Sequence, residues 1–189
     1  MSAEIVATET KHRGWSAFLV ATIRLPDGST ITREIEDHGN AVCVLPYDPV
    51  RRTAVLVQQL RAPVLFAANQ QHFLEAVAGL IDGEEAPESS ARRETMEEAG
   101  LQMRSLDHVV TAWAMPGIST ERMDLFLGEY SEADRVNAGG GIEDESIQVF
   151  EMPLTEIAAM ADAGTLGDMK TLVLLQTLRL RRPDLFIPA

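Results

Sequence analysis

The chain has 189 residues, of which 46% are hydrophobic, and it carries a formal net charge of -13 with a sequence pI near 4.7. This length and apolar content suffice for one substantial core and fall short of two ordinary domains. The acidity argues against a protein whose affinity comes from contacts to nucleic-acid phosphates, so no nucleic-acid partner is expected.

The first fifteen residues are polar and mixed in charge, without the apolar segment of a signal peptide. No apolar run approaches membrane-spanning length. Cys43 is the only cysteine and lies in the apolar run 41–45, where a buried, inert thiol is expected. These features predict a cytoplasmic protein without a membrane partner.

Strand patterns dominate the first part of the chain. Residues 18–25 and 29–35 flank the turn signal Pro26-Asp27-Gly28 and predict a hairpin. Further strands are predicted over residues 41–47, 53–60, 73–78, 105–115, 123–130 and 147–152, and helices over residues 87–99, 154–163 and 169–181. This order predicts an α/β fold in which a mixed sheet carries helices on both faces. We expect a separate N-terminal β element over residues 1–38 and a main domain over residues 39–189.

The helix predicted over residues 87–99 carries an unusual concentration of carboxylates. Its 3.6-residue period places Glu94 and Glu98 one above the other and Glu97 at the edge of the same face, so three carboxylates are expected to converge. Such an oxygen-rich site suits the hard cations Mg2+ and Mn2+. Arg93 lies one turn before Glu97 and could clamp that carboxylate in place.

The spacing of these residues resembles the Nudix box of nucleoside-diphosphate-linked hydrolases. The shared positions are Gly79, Glu85, Arg93, Glu94, Glu97, Glu98, Gly100 and the apolar Leu101. A solvated charged face would explain an acidic helix but not this spacing. Thr95 departs from the aliphatic residue more usual in the family, which affects packing and leaves the ligands intact. The resemblance implies a Nudix α/β/α sandwich.

A glycine-rich segment, Asn137-Ala138-Gly139-Gly140-Gly141, leads into Ile142 and the carboxylates Glu143, Asp144 and Glu145. Taken alone, the segment fits a solvated loop. Beside a metal-binding helix, a mobile acidic loop can instead close over the substrate and deliver a metal ligand or a base. The candidates for the catalytic base are Glu97, Glu143 and Glu145, with Arg93 as a supporting catalytic residue.

Together these segments resemble the bacterial GDP-mannose hydrolases of the Nudix superfamily. That resemblance implies metal binding by the carbonyl of Ala78 and by Glu94, Glu98 and Glu145. It implies nucleotide contacts from Trp15, Arg33 and Glu34, diphosphate and sugar contacts from Arg61, Glu121, Asp144 and Lys170, and further substrate contacts from Gly79 and Leu80. Trp15 stands where the family has an aromatic residue of another type.

The activity implied by the resemblance is hydrolysis of GDP-mannose to GMP and mannose 1-phosphate with Mg2+, or alternatively Mn2+. ADP-ribose pyrophosphatase, which gives AMP and ribose 5-phosphate, is the close alternative, because the segment 115–121 resembles both groups. A non-catalytic Nudix-fold ligand sensor is an alternative of another class. The resemblance also implies a homodimer whose N-terminal β elements are exchanged between subunits.

Overall fold

The computed structural model describes residues 2–142 and 146–187. The chain forms two compact units. The first consists of Met1–Ala41 and Thr111–Met123, and the second of Val42–Val110 and Asp124–Ala189. The division at residue 39 expected from the sequence stays a prediction.

The first unit is built on a three-stranded antiparallel sheet of β1 (Glu4–Arg13), β2 (Ala17–Arg24) and β3 (Thr30–Asp37), in that order. The predicted hairpin of β2 and β3 is confirmed, with Gly28 in its turn at a φ of 86°. Strand β1 was not predicted. Every one of its residues is exposed, so no apolar alternation marks it in the sequence.

The second unit contains most of a seven-stranded sheet. The strand order is β10-β5-β4-β9-β8, with β6 paired to β5 and β7 paired to β4. The strands are β4 (Ala41–Asp48), β5 (Thr53–Gln59), β6 (Phe73–Glu75), β7 (Val77–Leu80), β8 (Asp107–Trp113), β9 (Arg122–Glu129) and β10 (Gln148–Pro153). Alternating valines of β4 and β5 lie fully buried in the core, which positions both strands beneath the helices.

The helices are α1 (Ala62–Ala68), α2 (Pro87–Ala99), α3 (Leu154–Asp162) and α4 (Met169–Arg181). The last three were predicted nearly residue for residue. Helix α1 was missed because seven residues are too few to show a helical period, although Pro63 in its first turn and the left-handed Asn69 at its end are helix boundary signals. Among the described residues, no helix combines the length and apolar character needed to cross a bilayer.

Helix α2 lies close against β5 and β7 because its inner face is made of small side chains. Ala91, Thr95 and Ala99 have no exposed surface. The hydroxyl of Thr95 donates a hydrogen bond of 2.7 Å to the carbonyl of Ala91, so the polar group is satisfied within the helix. The departure from the family pattern at Thr95 is therefore accommodated without an unpaired buried group.

The strand predicted over residues 73–78 is broken at Ala76 into β6 and β7. The N–H of Ala76 donates to the hydroxyl of Thr171 on α4 at 2.7 Å instead of joining a sheet ladder. The chain consequently changes partner at this point, from β5 to β4. Helix α4 is thereby fixed to the start of the strand that leads into α2.

The glycine-rich segment is held on the end of α2. The N–H groups of Gly140 and Gly141 donate to the carbonyls of Glu98 and Glu97 at 2.9 and 3.1 Å. These carbonyls belong to the last turn of the helix and have no partner within it. The described part of this segment is therefore anchored to α2, with Asn137 and Ala138 exposed, and its role as a mobile acidic loop stays a prediction. Glu143, Asp144 and Glu145 lie outside the described residues.

Replacement of Gly139 by alanine should destabilise the protein more than the same change at Gly164. The two glycines have nearly equal φ angles of 69° and 71°. A Cβ at Gly139 would lie less than 3.0 Å from the carbonyl oxygen of Glu98, whereas nothing lies within 4 Å at Gly164. Urea unfolding should show a loss of about 1 kcal/mol for Gly164→Ala and about 3 kcal/mol for Gly139→Ala. Equal losses would contradict the close approach to α2.

Candidate active site

Two box carboxylates lie against strand β7. An oxygen of Glu98, which is buried, accepts the backbone N–H of Ala78 at 3.2 Å. At Gly79 a Cβ would lie less than 3.0 Å from the carboxyl group of Glu94, so only glycine allows this approach. The structure thus brings three members of the predicted metal set, Ala78, Glu94 and Glu98, to one place in the second unit.

Arg93 organises the other side of the box. Its Nη1 donates to Glu94 at 2.7 Å and to Glu97 at 3.2 Å, and its Nη2 donates to the carbonyl of Leu80 at 3.0 Å. The predicted pairing of Arg93 with Glu97 is confirmed. Among residues 2–142 and 146–187, no three acidic, histidine or cysteine side chains are grouped closely enough to hold a metal. The convergence of the three carboxylates stays a prediction, and Glu94 and Glu97 both accept from Nη1 of Arg93.

The charge state of Glu98 tests whether a cation fits this place. Burial raises the pKa of Glu98 to about 8, and the negative charge of Glu94 adds to the shift, while the hydrogen bond from Ala78 opposes it. Without a cation, the charged form of the Glu98 carboxyl is therefore disfavoured. A divalent cation bound by Glu94, Glu98 and the Ala78 carbonyl would supply the missing counter-charge, so the donor set fits Mg2+ or Mn2+.

Two of the cationic side chains predicted to contact the substrate are joined by a buried carboxylate. Glu75, with 1% of its surface exposed, accepts from Nε of Arg61 at 2.7 Å and from Nζ of Lys170 at 2.5 Å. Lys170 also donates to Asp168 at 2.9 Å. Burial opposes the charged forms of both cations, but their carboxylate partners outweigh it and raise the pKa of Arg61 and of Lys170. Both side chains therefore remain positively charged.

Glu75 and Asp168 were missed in the sequence, although each leaves a signal there. Glu75 interrupts the apolar run 73–77, and a charge in such a run needs a partner when it is buried. Asp168 stands directly before a helix, and its side chain accepts the N–H of Thr171 as an N-cap. Neither signal by itself identifies which cation is the partner.

The remaining described contact candidates, Trp15, Arg33, Glu34 and Glu121, lie in the first unit. Trp15 is 76% exposed and stacks on His38 with ring centroids 4.8 Å apart. His38 in turn pairs with Glu36 at 2.8 Å and with Glu121 at 3.2 Å. Burial would lower the pKa of His38, but these two carboxylates outweigh it and raise the pKa. No sequence pattern singles out His38.

Arg33 and Glu34 line a cavity of about 400 Å³ in the first unit. Its other walls include Trp113 and residues 116–120. Residues 116–120 belong to the segment 115–121, which resembles both groups of hydrolases. The predicted substrate contacts Arg61, Gly79, Leu80 and Lys170 lie in the second unit. Glu143, Asp144 and Glu145 cannot be placed in either group, because they lie outside the described residues.

Comparisons with known proteins identify the family of this chain. A family model described as the NUDIX domain matches residues 37–172. This chain therefore belongs to the Nudix family. The GDP-mannose pyrophosphatase of Cronobacter sakazakii is 40% identical over 158 residues, and that of Escherichia coli O1:K1 is 37% identical over 157 residues. Each alignment covers 82% of this chain and 82% of the relative.

The fold has a solved counterpart as well. A crystal structure of an ADP compounds hydrolase superposes with a TM-score of 0.78, covering 97% of this chain and 96% of that one at 18% identity. This similarity concerns the fold alone. The predicted α/β Nudix fold is confirmed by the family match and by this superposition.

Gly79→Ala should weaken metal binding, because the added methyl group displaces the carboxyl group of Glu94 from β7. We expect the affinity for Mn2+, measured by titration calorimetry, to fall at least about tenfold, as for other changes that misplace a ligand. Gly167→Ala is the control, since a Cβ there would meet only a carbon of Phe73 at an ordinary 3.6 Å. Unchanged Mn2+ affinity in Gly79→Ala would remove Glu94 from the ligand set.

Proposed function

We propose that the protein hydrolyses the diphosphate bond of a nucleoside diphosphate sugar in a metal-dependent reaction, with GDP-mannose as the substrate. The products are GMP and mannose 1-phosphate. The observation that carries this proposal is the position of Glu94 and Glu98 beside Ala78 in a chain that also matches GDP-mannose pyrophosphatases over 82% of its length. Retention of the box glutamates argues against a non-catalytic sensor.

The reaction breaks one P–O bond of the P–O–P bridge: the water oxygen bonds to one phosphorus, and the bridging oxygen leaves with the other phosphate, so that two phosphate monoesters form and the water protons are released or shared between them. Both phosphates are negative, so a nucleophile is repelled until their charge is offset. A divalent cation, when bound, would offset that charge and lower the pKa of a water molecule. Glu94, Glu98 and the carbonyl of Ala78 would hold the cation, together with Glu145.

The cationic side chains of the second unit would bind and orient the substrate. Arg61 and Lys170 stay charged at neutral pH and can pair with phosphate oxygens, Arg61 in a two-pronged geometry. Glu97, Glu143 and Glu145 remain the candidates to accept the proton of the attacking water. Arg93 limits the freedom of Glu97, because their ion pair holds that carboxylate at 3.2 Å.

A product-identifying screen tests the proposal. Nucleotide sugars, ADP-ribose and NADH are incubated with the protein and Mg2+ or Mn2+, and the products are identified by mass spectrometry. We expect the highest kcat/KM for GDP-mannose and complete loss of turnover in excess EDTA. Preference for ADP-ribose would instead support the pyrophosphatase alternative. Binding without turnover would support the sensor, and undiminished turnover in EDTA would contradict a metal-dependent mechanism.

We further propose that the protein acts as a homodimer in which the N-terminal β element of one subunit contributes to the site of the other. All of β1 is exposed, and among the described strands it pairs only with β2. Its outer edge therefore presents unpaired backbone groups over ten residues. Exchange of such an element is a low-cost route to a symmetric dimer. In this arrangement Trp15, Arg33 and Glu34 act in trans.

A mixing experiment tests the exchange. Arg33→Ala and Glu98→Gln should each be inactive alone. When their subunits are mixed equally and allowed to exchange, half of the dimers become heterodimers with one intact site each, so about a quarter of wild-type activity should return. Arg33→Ala exchanged with itself is the control. Heterodimers that form, as shown by mass, but remain inactive would place Arg33 and Glu98 in the same subunit's site or outside it.

A further inference from the structure

Glu75 is a buried charge that the proposed reaction does not use. Its side chain is 1% exposed, compared with 38% for Arg61 and 17% for Lys170. One carboxylate oxygen accepts from Arg61 and the other from Lys170. Burying a carboxylate is costly unless it is paired, and here both oxygens are paired with cations. Glu75 thus connects the residue before α1 with the first turn of α4.

The contact with Arg61 uses only one edge of the guanidinium group. Nε points to Glu75 at 2.7 Å. Among the described residues, Nη1 and Nη2 of Arg61 have no hydrogen-bonding partner within the protein. These terminal nitrogens are the pair that binds a phosphate with two parallel hydrogen bonds. Fixing Nε therefore orients the ligand-binding edge without occupying it.

Lys170 is restrained in a similar way. Its ammonium group donates to Glu75 at 2.5 Å and to Asp168 at 2.9 Å, which leaves one of its three N–H donors for a ligand. Asp168 is itself held by the N–H and the hydroxyl of Thr171. The hydroxyl of Thr171 also accepts the N–H of Ala76, the residue next to Glu75. Asp168 is consequently fixed by the backbone of α4, and the backbone beside Glu75 is tied to the same Thr171 hydroxyl.

Electrostatic attraction alone does not explain this arrangement. The two cations, Arg61 and Lys170, are accompanied by two carboxylates, Glu75 and Asp168, so the group is neutral overall. A site selected only for attraction of an anionic diphosphate would omit the carboxylates. Their presence favours a geometric role, in which the ligand finds the donors already oriented.

We propose that Glu75 is a positioning residue that holds Arg61 and Lys170 in the orientation needed to bind the diphosphate of the substrate. The inference rests on the proposed function, because it takes these two cations as the phosphate ligands. A purely electrostatic role predicts that KM falls when the charge of Glu75 is removed, whereas positioning predicts that KM rises. A purely structural role would not depend on Arg61, whereas positioning acts through Arg61.

The decisive variants are Glu75→Gln and Glu75→Asp, with Asp162→Asn as the control. Glu75→Gln adds one positive charge to the site, so attraction alone would lower KM, whereas loss of positioning raises it. We expect KM for GDP-mannose to rise at least about tenfold, with a smaller change in kcat. Glu75→Asp keeps the charge but is one methylene shorter, and it should also raise KM. Asp162→Asn removes an exposed carboxylate paired with Arg179 and should leave KM unchanged.

The dissociation constant of inorganic pyrophosphate, measured by calorimetry in EDTA, provides a readout that does not require turnover. It should rise in both Glu75 variants, and in Arg61→Met the further change Glu75→Gln should add much less than it does alone. Glu75→Asp retains a buried paired charge and decides the question if Glu75→Gln fails to fold. Unchanged or tighter pyrophosphate binding in folded Glu75 variants, or full additivity with Arg61→Met, would overturn the inference. Absence of turnover with weakened pyrophosphate binding would contradict only the proposed function.

Discussion

The site depends on how closely helix α2 approaches strand β7. The small buried residues Ala91, Thr95 and Ala99 on the facing helix allow that approach, and the absence of a side chain at Gly79 leaves room for the carboxyl group of Glu94. With the backbones this near, Glu98 is removed from water and accepts a hydrogen bond from Ala78. The same packing that buries apolar surface therefore creates a carboxyl group that favours a proton or a cation. The packing of α2 on β7 and the chemistry of Glu98 therefore depend on the same contact.

The sequence was most informative where local chemistry decides the structure. The helix predicted over residues 87–99, which carries most of the box residues, is found as α2 with the same bounds. Strand β1 could not be recognised, because exposed residues such as Thr8 and Lys11 face no core and so show no alternation of apolar and polar residues. The site followed the same division. Glu94 and Glu98 belong to a local pattern, whereas the contacts of Glu75 join residues 14 and 95 positions away along the chain.

The segment 137–141 shows that a glycine run in a sequence is compatible with more than one kind of structure. Glycine permits disorder, but it equally permits left-handed backbone and close contact, and a sequence does not distinguish these uses. Here Gly139 has a φ of 69° and lies against the carbonyl of Glu98. The hydrogen bonds from Gly140 and Gly141 then complete the last turn of α2. The conformation of this segment is thus set by two carbonyl groups of α2, which have no partner within the helix and accept hydrogen bonds from the glycines.

Helix α1 has no buried residue, and its Phe66 is almost fully exposed. The core therefore imposes almost no requirement on this segment, yet the segment begins directly after Arg61. Insertions, deletions and substitutions in α1 can therefore change the surface beside Arg61 while folding stability is largely preserved.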